Sequence, residues 1–172
     1  KISVPVLYAW LLMFVGFFHL WFNVLAELTR FADRQFYKDW WNATNLEEYW
    51  RKWNLPVHNW LVRHVYFPCL RAGLSKMQAQ LVVFFLSAAL HELVISVPCR
   101  TVRLWAFIGM FAQAPLVLLT KKIEGVFGKS QLGNCFFWVT FCIFGQPLCV
   151  LLYYFDVSIV SIVEFSCLHH AD

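Results

Sequence analysis

Apolar residues run almost unbroken through four stretches of the chain, and the polar ones gather between them. Ile2–Ala26, Leu104–Thr120 and Leu132–Phe155 contain no Asp, Glu, Lys or Arg, and Met77–Val97 contains only Glu92. A helix needs about 20 mostly apolar residues to cross a bilayer. The pattern therefore predicts an all-α membrane bundle of four spans, at 2–26, 77–97, 104–120 and 132–155. Arg103, Lys121 and Lys122 flank the third span, where long cationic side chains reach the membrane boundary.

The segment between the first two spans, 27–76, is not an ordinary solvent loop. It holds Trp40, Trp41, Trp50, Trp53 and Trp60, five of the nine tryptophans, and Trp favours the membrane–water boundary. This predicts interfacial amphipathic helices. Thr44-Asn45-Leu46-Glu47 fits a capping box, starting a helix that runs to about Trp53. Pro56 suits the first turn of a second helix, to about Tyr66, and pushes Leu55 out of the helical region. Asn54 falls in the break. With four spans, 27–76 and 121–131 face one side and carry eight and three Lys/Arg, against Lys1, Arg100 and Arg103 on the other. The positive-inside rule places 27–76 in the cytosol and the C-terminus in the lumen or exterior.

Composition sharpens this picture. The 172 residues are 60% hydrophobic and 14% charged, where soluble domains carry about 25% charged residues. The net charge of +4 comes with no basic cluster of the kind that binds nucleic acid. The six cysteines form no C-x-x-C pair and point to no metal site. Cys135, Cys142 and Cys149 recur at seven-residue spacing, as in a packing seam. The chain opens at Lys1 directly into an apolar run, with no signal peptide, and reads as an internal fragment of something longer.

Few polar groups interrupt the apolar runs. His91-Glu92 stands mid-span, where a charged carboxylate costs at least about 2.5 kcal/mol unless it faces a cavity, a partner or the bundle interior. The pair is a functional candidate on that ground, with a structural hydrogen-bonded pair as the alternative. Ser87 lies one turn before His91, either orienting the imidazole, acting as a nucleophile, or permitting close helix contact. Gln113 and Gln146 each precede a proline, Pro115 and Pro147; a kink there frees a carbonyl for the amide, or the amides line a substrate tunnel. His58 and His64 suit an interface near an anionic ligand or an amphipathic face. His19, with Asn23 one turn on, reads as a helix contact, and His169 and His170 carry no pattern. In a dry cavity a histidine can deprotonate a hydroxyl, and an amide such as Asn54 or Gln146 can donate to a developing oxyanion.

Longer motifs carry a resemblance. Phe36-Tyr37-Lys38-Asp39-Trp40-Trp41-Asn42 resembles the F-Y-x-D-W-W-N motif of the sterol and diacylglycerol acyltransferase branch of the membrane-bound O-acyltransferases. Trp53-Asn54, followed by His91-Glu92 in the next span, resembles that superfamily's Asn and His pair. Pro56-Val57-His58, Tyr66-Phe67-Pro68 and Gly145-Gln146-Pro147 are similar to the diacylglycerol-acylating members, especially those of plants or algae. The resemblance covers 1–156, as the C-terminal part of the family's domain. It departs at Phe155, where the family has His, and it leaves 157–172 as an atypical tail.

The resemblance implies transfer of a fatty acyl group from acyl-CoA to the free hydroxyl of diacylglycerol in the endoplasmic reticulum membrane. It makes His91 a buried general base, and Asn54 the residue that positions the acyl group or stabilises the oxyanion. Glu92 joins the catalytic group. Gln113, Gln146, His58, Ser87 and Trp53 fall on the substrate-binding side, and 36–42 on the acyl-CoA side. No metal or prosthetic group is implied, since acyl-CoA is a co-substrate. A homodimer or homotetramer is implied for the full-length protein. The rival readings are a sterol or wax-alcohol acyltransferase, and a non-catalytic membrane protein or inactive fragment.

Overall fold

The computed structural model describes residues 3–128, 131–141, 148, 151–156 and 158, and these contain helices and no strand. Helix α1 (Ser3–Phe14), a π turn (Val15–Trp21) and α2 (Phe22–Thr29) form one rod that is long and apolar enough to cross a membrane over Val4–Thr29. It outruns the expected span by three residues and stops where Arg30 turns left-handed at φ 55°. The long helix α6 (Lys76–Cys99) is the second candidate span. Its start is fixed by a full capping box, with the Ser75 hydroxyl accepting from the Gln78 N–H and the Gln78 side chain accepting from the Ser75 N–H.

The third candidate span, Trp105–Val126, is longer than the expected 104–120. It consists of α7 (Trp105–Phe111) and α8 (Gln113–Phe127), which meet at Ala112, three residues before Pro115. Lys121 and Lys122 therefore lie inside α8 rather than beside it. An ion pair from Lys121 to Glu47 explains the extra turn, because it ties α8 to the interfacial segment. The fourth expected span begins with α9 (Gln131–Thr140) and includes a helical segment at 151–156. Its residues 142–147, 149 and 150, with Gln146 among them, lie outside the described residues, as does nearly all of the tail.

The interfacial segment folds as expected in outline and differs at its caps. After the extended 31–39 and a 3-10 turn (Trp40–Asn42) come α3 (Leu46–Trp53) and α4 (Leu55–Leu61). Asn45, not Thr44, caps α3, its Oδ1 accepting from the Glu48 N–H at 2.8 Å. Glu48 instead of Glu47 reaches back, accepting from the Thr44 N–H at 3.3 Å. Both residue types cap well, and tertiary contacts decide between them, because Glu47 is drawn away to Lys121. The Asn54 break is present, but α4 starts at Leu55, so Pro56 takes the first turn without expelling its neighbour. The second helix also continues past Tyr66, through a π turn (Val62–Tyr66) into α5 (Phe67–Arg71).

Two cores hold these elements together. In one, Trp10 and Phe14 of α1 pack with Trp40, Ala43, Tyr49 and Phe137. In the other, Phe84 and Ala88 of α6 meet Met110, Ala114 and Val117 across α7 and α8. Small residues at that contact let helix backbones approach, as membrane helices require. Gly133 serves the same end in α9, since a Cβ there would stand 2.7 Å from the Thr44 carbonyl oxygen.

Candidate active site

The 36–42 segment buries Phe36 and Trp40 in the fold and leaves Lys38, Asp39, Trp41 and Asn42 exposed. Phe36 is buried against Phe22, and Trp40, 2% exposed, sits among Trp10, Phe14, Tyr49 and Trp53. The Tyr37 hydroxyl lies 3.0 Å from His19 Nδ1 on the π turn of the first rod, which gives His19 its contact. Asp39 pairs with Lys52 at 3.0 Å, and Lys52 also pairs with Glu48 at 3.0 Å. The Lys52 hydrogen bond holds the Asp39 carboxyl below its usual range. Trp41 and Asn42 are exposed, and the Trp41 carbonyl accepts from Asn134 Nδ2 at 2.9 Å and Trp138 Nε1 at 3.0 Å.

Backbone bonds join this segment to the Asn54 break. The Lys38 N–H donates to the Lys52 carbonyl at 2.8 Å, and the Leu55 N–H to the Phe36 carbonyl at 2.9 Å. Trp53, stacked on Trp10 at 5.4 Å, anchors the same corner. Asn54 is half-buried, and its Oδ1 accepts from the Val57 N–H at 3.2 Å, capping α4. With Oδ1 committed to the cap, Nδ2 is the end left to donate to another group.

His58, one turn on, is half-buried; burial, and then the nearby Arg51 charge, lower its pKa from 6.5. Because the folded value lies below the unfolded one, neutral His58 contributes stability that is complete above pH 6.5 and is lost as pH falls through the folded value. Thermal unfolding of the full-length protein should shift downward between pH 7.5 and pH 5, roughly the range that spans a histidine's titration. A His58→Gln variant should lose less over that range. Equal pH slopes in the two proteins would contradict this.

The π turn that follows α4 packs against α6, which carries His91. His91 is exposed on the surface of the described chain, contrary to the expected burial. Its Nδ1 lies 2.7 Å from the Ser87 carbonyl oxygen. A carbonyl can only accept, so Nδ1 carries a proton, and in the neutral imidazole Nε2 then holds the lone pair. That tautomer suits a general base. It also decides the role of Ser87, whose hydroxyl is 3.5 Å from the same protonated nitrogen. The Ser87 backbone orients the imidazole, and its hydroxyl has no basic nitrogen there to activate it.

Glu92 points elsewhere. It is buried, and its carboxylate accepts from the Leu104 N–H at 3.0 Å, the Phe107 N–H at 3.2 Å and the Tyr153 hydroxyl at 2.7 Å. Gln113 is half-buried and donates to the Gly109 carbonyl at 3.3 Å, next to the break before Pro115. Among the described residues, no hydrogen bond links Asn54, His58 or Gln113 to His91. His64 lines a cleft of about 360 Å³ between the 31–36 segment and α4 with Arg63, Asn59 and Trp60; Phe36 is the one expected site residue on its wall. Sequence reading missed Tyr153 and Asp156, which bind the start of α7, and Glu124, which accepts from the Thr44 hydroxyl at 3.2 Å and from the Asn45 amide. No local pattern marks these partners, which lie tens of residues away in sequence.

The chain belongs to the membrane-bound O-acyltransferase family, whose model matches residues 4–155. It is 62% identical over 157 residues to diacylglycerol O-acyltransferase 1 of Corylus americana, covering 91% of this chain and 29% of that relative. The protein of that name from Arabidopsis thaliana is 59% identical over the same share of this chain and 30% of its own length. The one from Dictyostelium discoideum is 51% identical over 154 residues and 24% of its length. The chain thus spans less than a third of these curated relatives.

Proposed function

We propose that the full-length protein transfers a fatty acyl group from acyl-CoA to diacylglycerol, with His91 as general base. The exposed, Nδ1-protonated His91 carries the mechanism, and the identity to diacylglycerol acyltransferases supports the substrate. His91 Nε2 takes the proton from the free hydroxyl of diacylglycerol as its oxygen attacks the thioester carbonyl. The tetrahedral intermediate collapses with loss of the CoA thiolate, which recovers the proton from the imidazolium. Triacylglycerol and CoA are the products. Asn54 Nδ2 donates to the oxyanion formed in between. In this reading the exposed face of His91 is covered in the full-length protein by further parts of the family's fold, which make the site dry. The same reading places the protein in the endoplasmic reticulum membrane as an oligomer, with 27–76 toward cytosolic acyl-CoA.

Acceptor choice tests the substrate. Microsomes carrying the full-length protein, supplied with labelled acyl-CoA and with diacylglycerol, sterol and wax alcohol in parallel, should form triacylglycerol. Sterol or wax ester in its place would refute the assignment. Asn54 offers a separate test, because its two amide ends do different work. Asn54→Asp keeps an oxygen to cap α4 but has no N–H to donate. It should leave thermal stability nearly unchanged and lower turnover about 100-fold or more. An Asn54→Asp protein with wild-type turnover would remove Asn54 from the chemistry.

A further inference from the structure

We infer that Glu92, Tyr153 and Asp156 form a clamp that sets the rotation of α6 and so aims His91; Glu92 is a positioning residue of the reaction, not a proton carrier. This inference rests on the proposed role of His91. Three observations support it.

The first is the saturation of the carboxylate. Two backbone N–H groups and one phenol donate to Glu92, which is how a carboxylate can remain buried in a membrane bundle. A carboxylate so engaged has no proton traffic with a substrate. The second is the geometry of the partners. Tyr153 and Asp156 are three residues apart in the helical segment 151–156, so they share one face. The Tyr153 oxygen also accepts from the Ala106 N–H at 3.2 Å. The Asp156 carboxylate accepts from Trp105 Nε1 at 2.8 Å and stands 3.6 Å from Arg103 Nε. This face therefore binds Arg103 and the start of α7, where Glu92 also binds through the Leu104 and Phe107 N–H groups.

The third is the backbone at Leu104. It is held left-handed at φ 61° with neither a glycine nor an Asn side chain to favour it. Its N–H is one of the donors to Glu92, so the strain is retained by the clamp. Consecutive residues on a helix point about 100° apart. Pinning Glu92 into the α7 side therefore turns His91 away from it, onto the open face where Nε2 is presented.

The full-length protein in microsomes provides the test, by kcat and KM of Glu92→Ala, Glu92→Gln, Tyr153→Phe and the Tyr153→Phe/Glu92→Ala double variant. The clamp predicts a fall in kcat of about tenfold or more for Glu92→Ala and Tyr153→Phe, with KM for acyl-CoA within about twofold. The double variant should be no worse than Glu92→Ala alone, because both changes break one unit. Glu92→Gln should recover part of the rate, since its oxygen still accepts from the Leu104 N–H and its amide can donate to the Tyr153 oxygen, although the Phe107 N–H then loses its acceptor. A proton-carrying Glu92 predicts the opposite, with Glu92→Gln as inactive as Glu92→Ala and Tyr153→Phe like wild type; that result, or additive losses in the double variant, would overturn the clamp. If Glu92→Ala does not accumulate, Tyr153→Phe and Glu92→Gln decide between the two outcomes on their own. Wild-type triacylglycerol synthesis and its loss in His91→Ala check the underlying function separately, so a failed clamp and a failed function are distinguishable.

Discussion

Replacing His91 by alanine in the full-length protein should lower the proposed acyl transfer by about 100- to 10,000-fold, the range a positioned general base contributes, while the protein should accumulate and unfold as wild type does. The second half of that expectation follows from the structure as directly as the first. The imidazole is exposed and its bonding is to Ser87 on its own helix. Among the described residues, removing it opens no cavity in either core and breaks no bond between helices. A structural histidine would show the reverse, a loss of protein at unchanged specific activity. Parallel immunoblots and initial rates separate the two.

Trp40→Ala has the largest expected effect on stability. Trp40 is 2% exposed and its ring contacts rings from the first rod, from α3 and from α9. Truncating a buried Trp typically costs about 3–5 kcal/mol, and here it also undermines the corner where 36–42 is bonded to the Asn54 break. Activity and protein level should fall together. Trp40→Phe should lose much less, because the buried Nε1 has no hydrogen-bond partner among the described residues and only ring packing is at stake. Thermal unfolding in detergent would measure both. A stable Trp40→Ala protein would show that the aromatic core is not what holds this corner.

Three of the four expected spans were legible as helices long and apolar enough to cross a membrane, because hydropathy over twenty residues reports directly on the surrounding solvent. The break at Asn54 was legible because Pro56 is a local signal for the first turn of a helix, whereas the Asn54 cap was not read from the sequence. The shift of the α3 cap from Thr44 to Asn45 was not, since both residues cap well and the choice falls to Lys121 of α8, which pairs with Glu47. The π turns at Val15–Trp21 and Val62–Tyr66 leave no residue signature. His91 and Glu92 show the limit most clearly. Hydropathy marks both as costly and groups them, yet the structure turns one outward and bonds the other inward, to partners on α7 and at Tyr153. Only tertiary contacts separate the proposed base from its proposed positioning neighbour. The motif residues Trp40 and Asp39 similarly stand out in sequence, but their places, in an aromatic core and on Lys52, become visible only in three dimensions.

The most direct test of the central claim is the structure of the full-length protein with a non-transferable acyl-CoA analogue and diacylglycerol bound. It should place His91 Nε2 within hydrogen-bond reach of the acceptor hydroxyl, at about 2.6–3.2 Å, with Nδ1 still on the Ser87 carbonyl and the hydroxyl oxygen facing the thioester carbon. A hydroxyl bound away from Nε2 by several ångströms, or an Nδ1 that has turned to the substrate, would contradict the account.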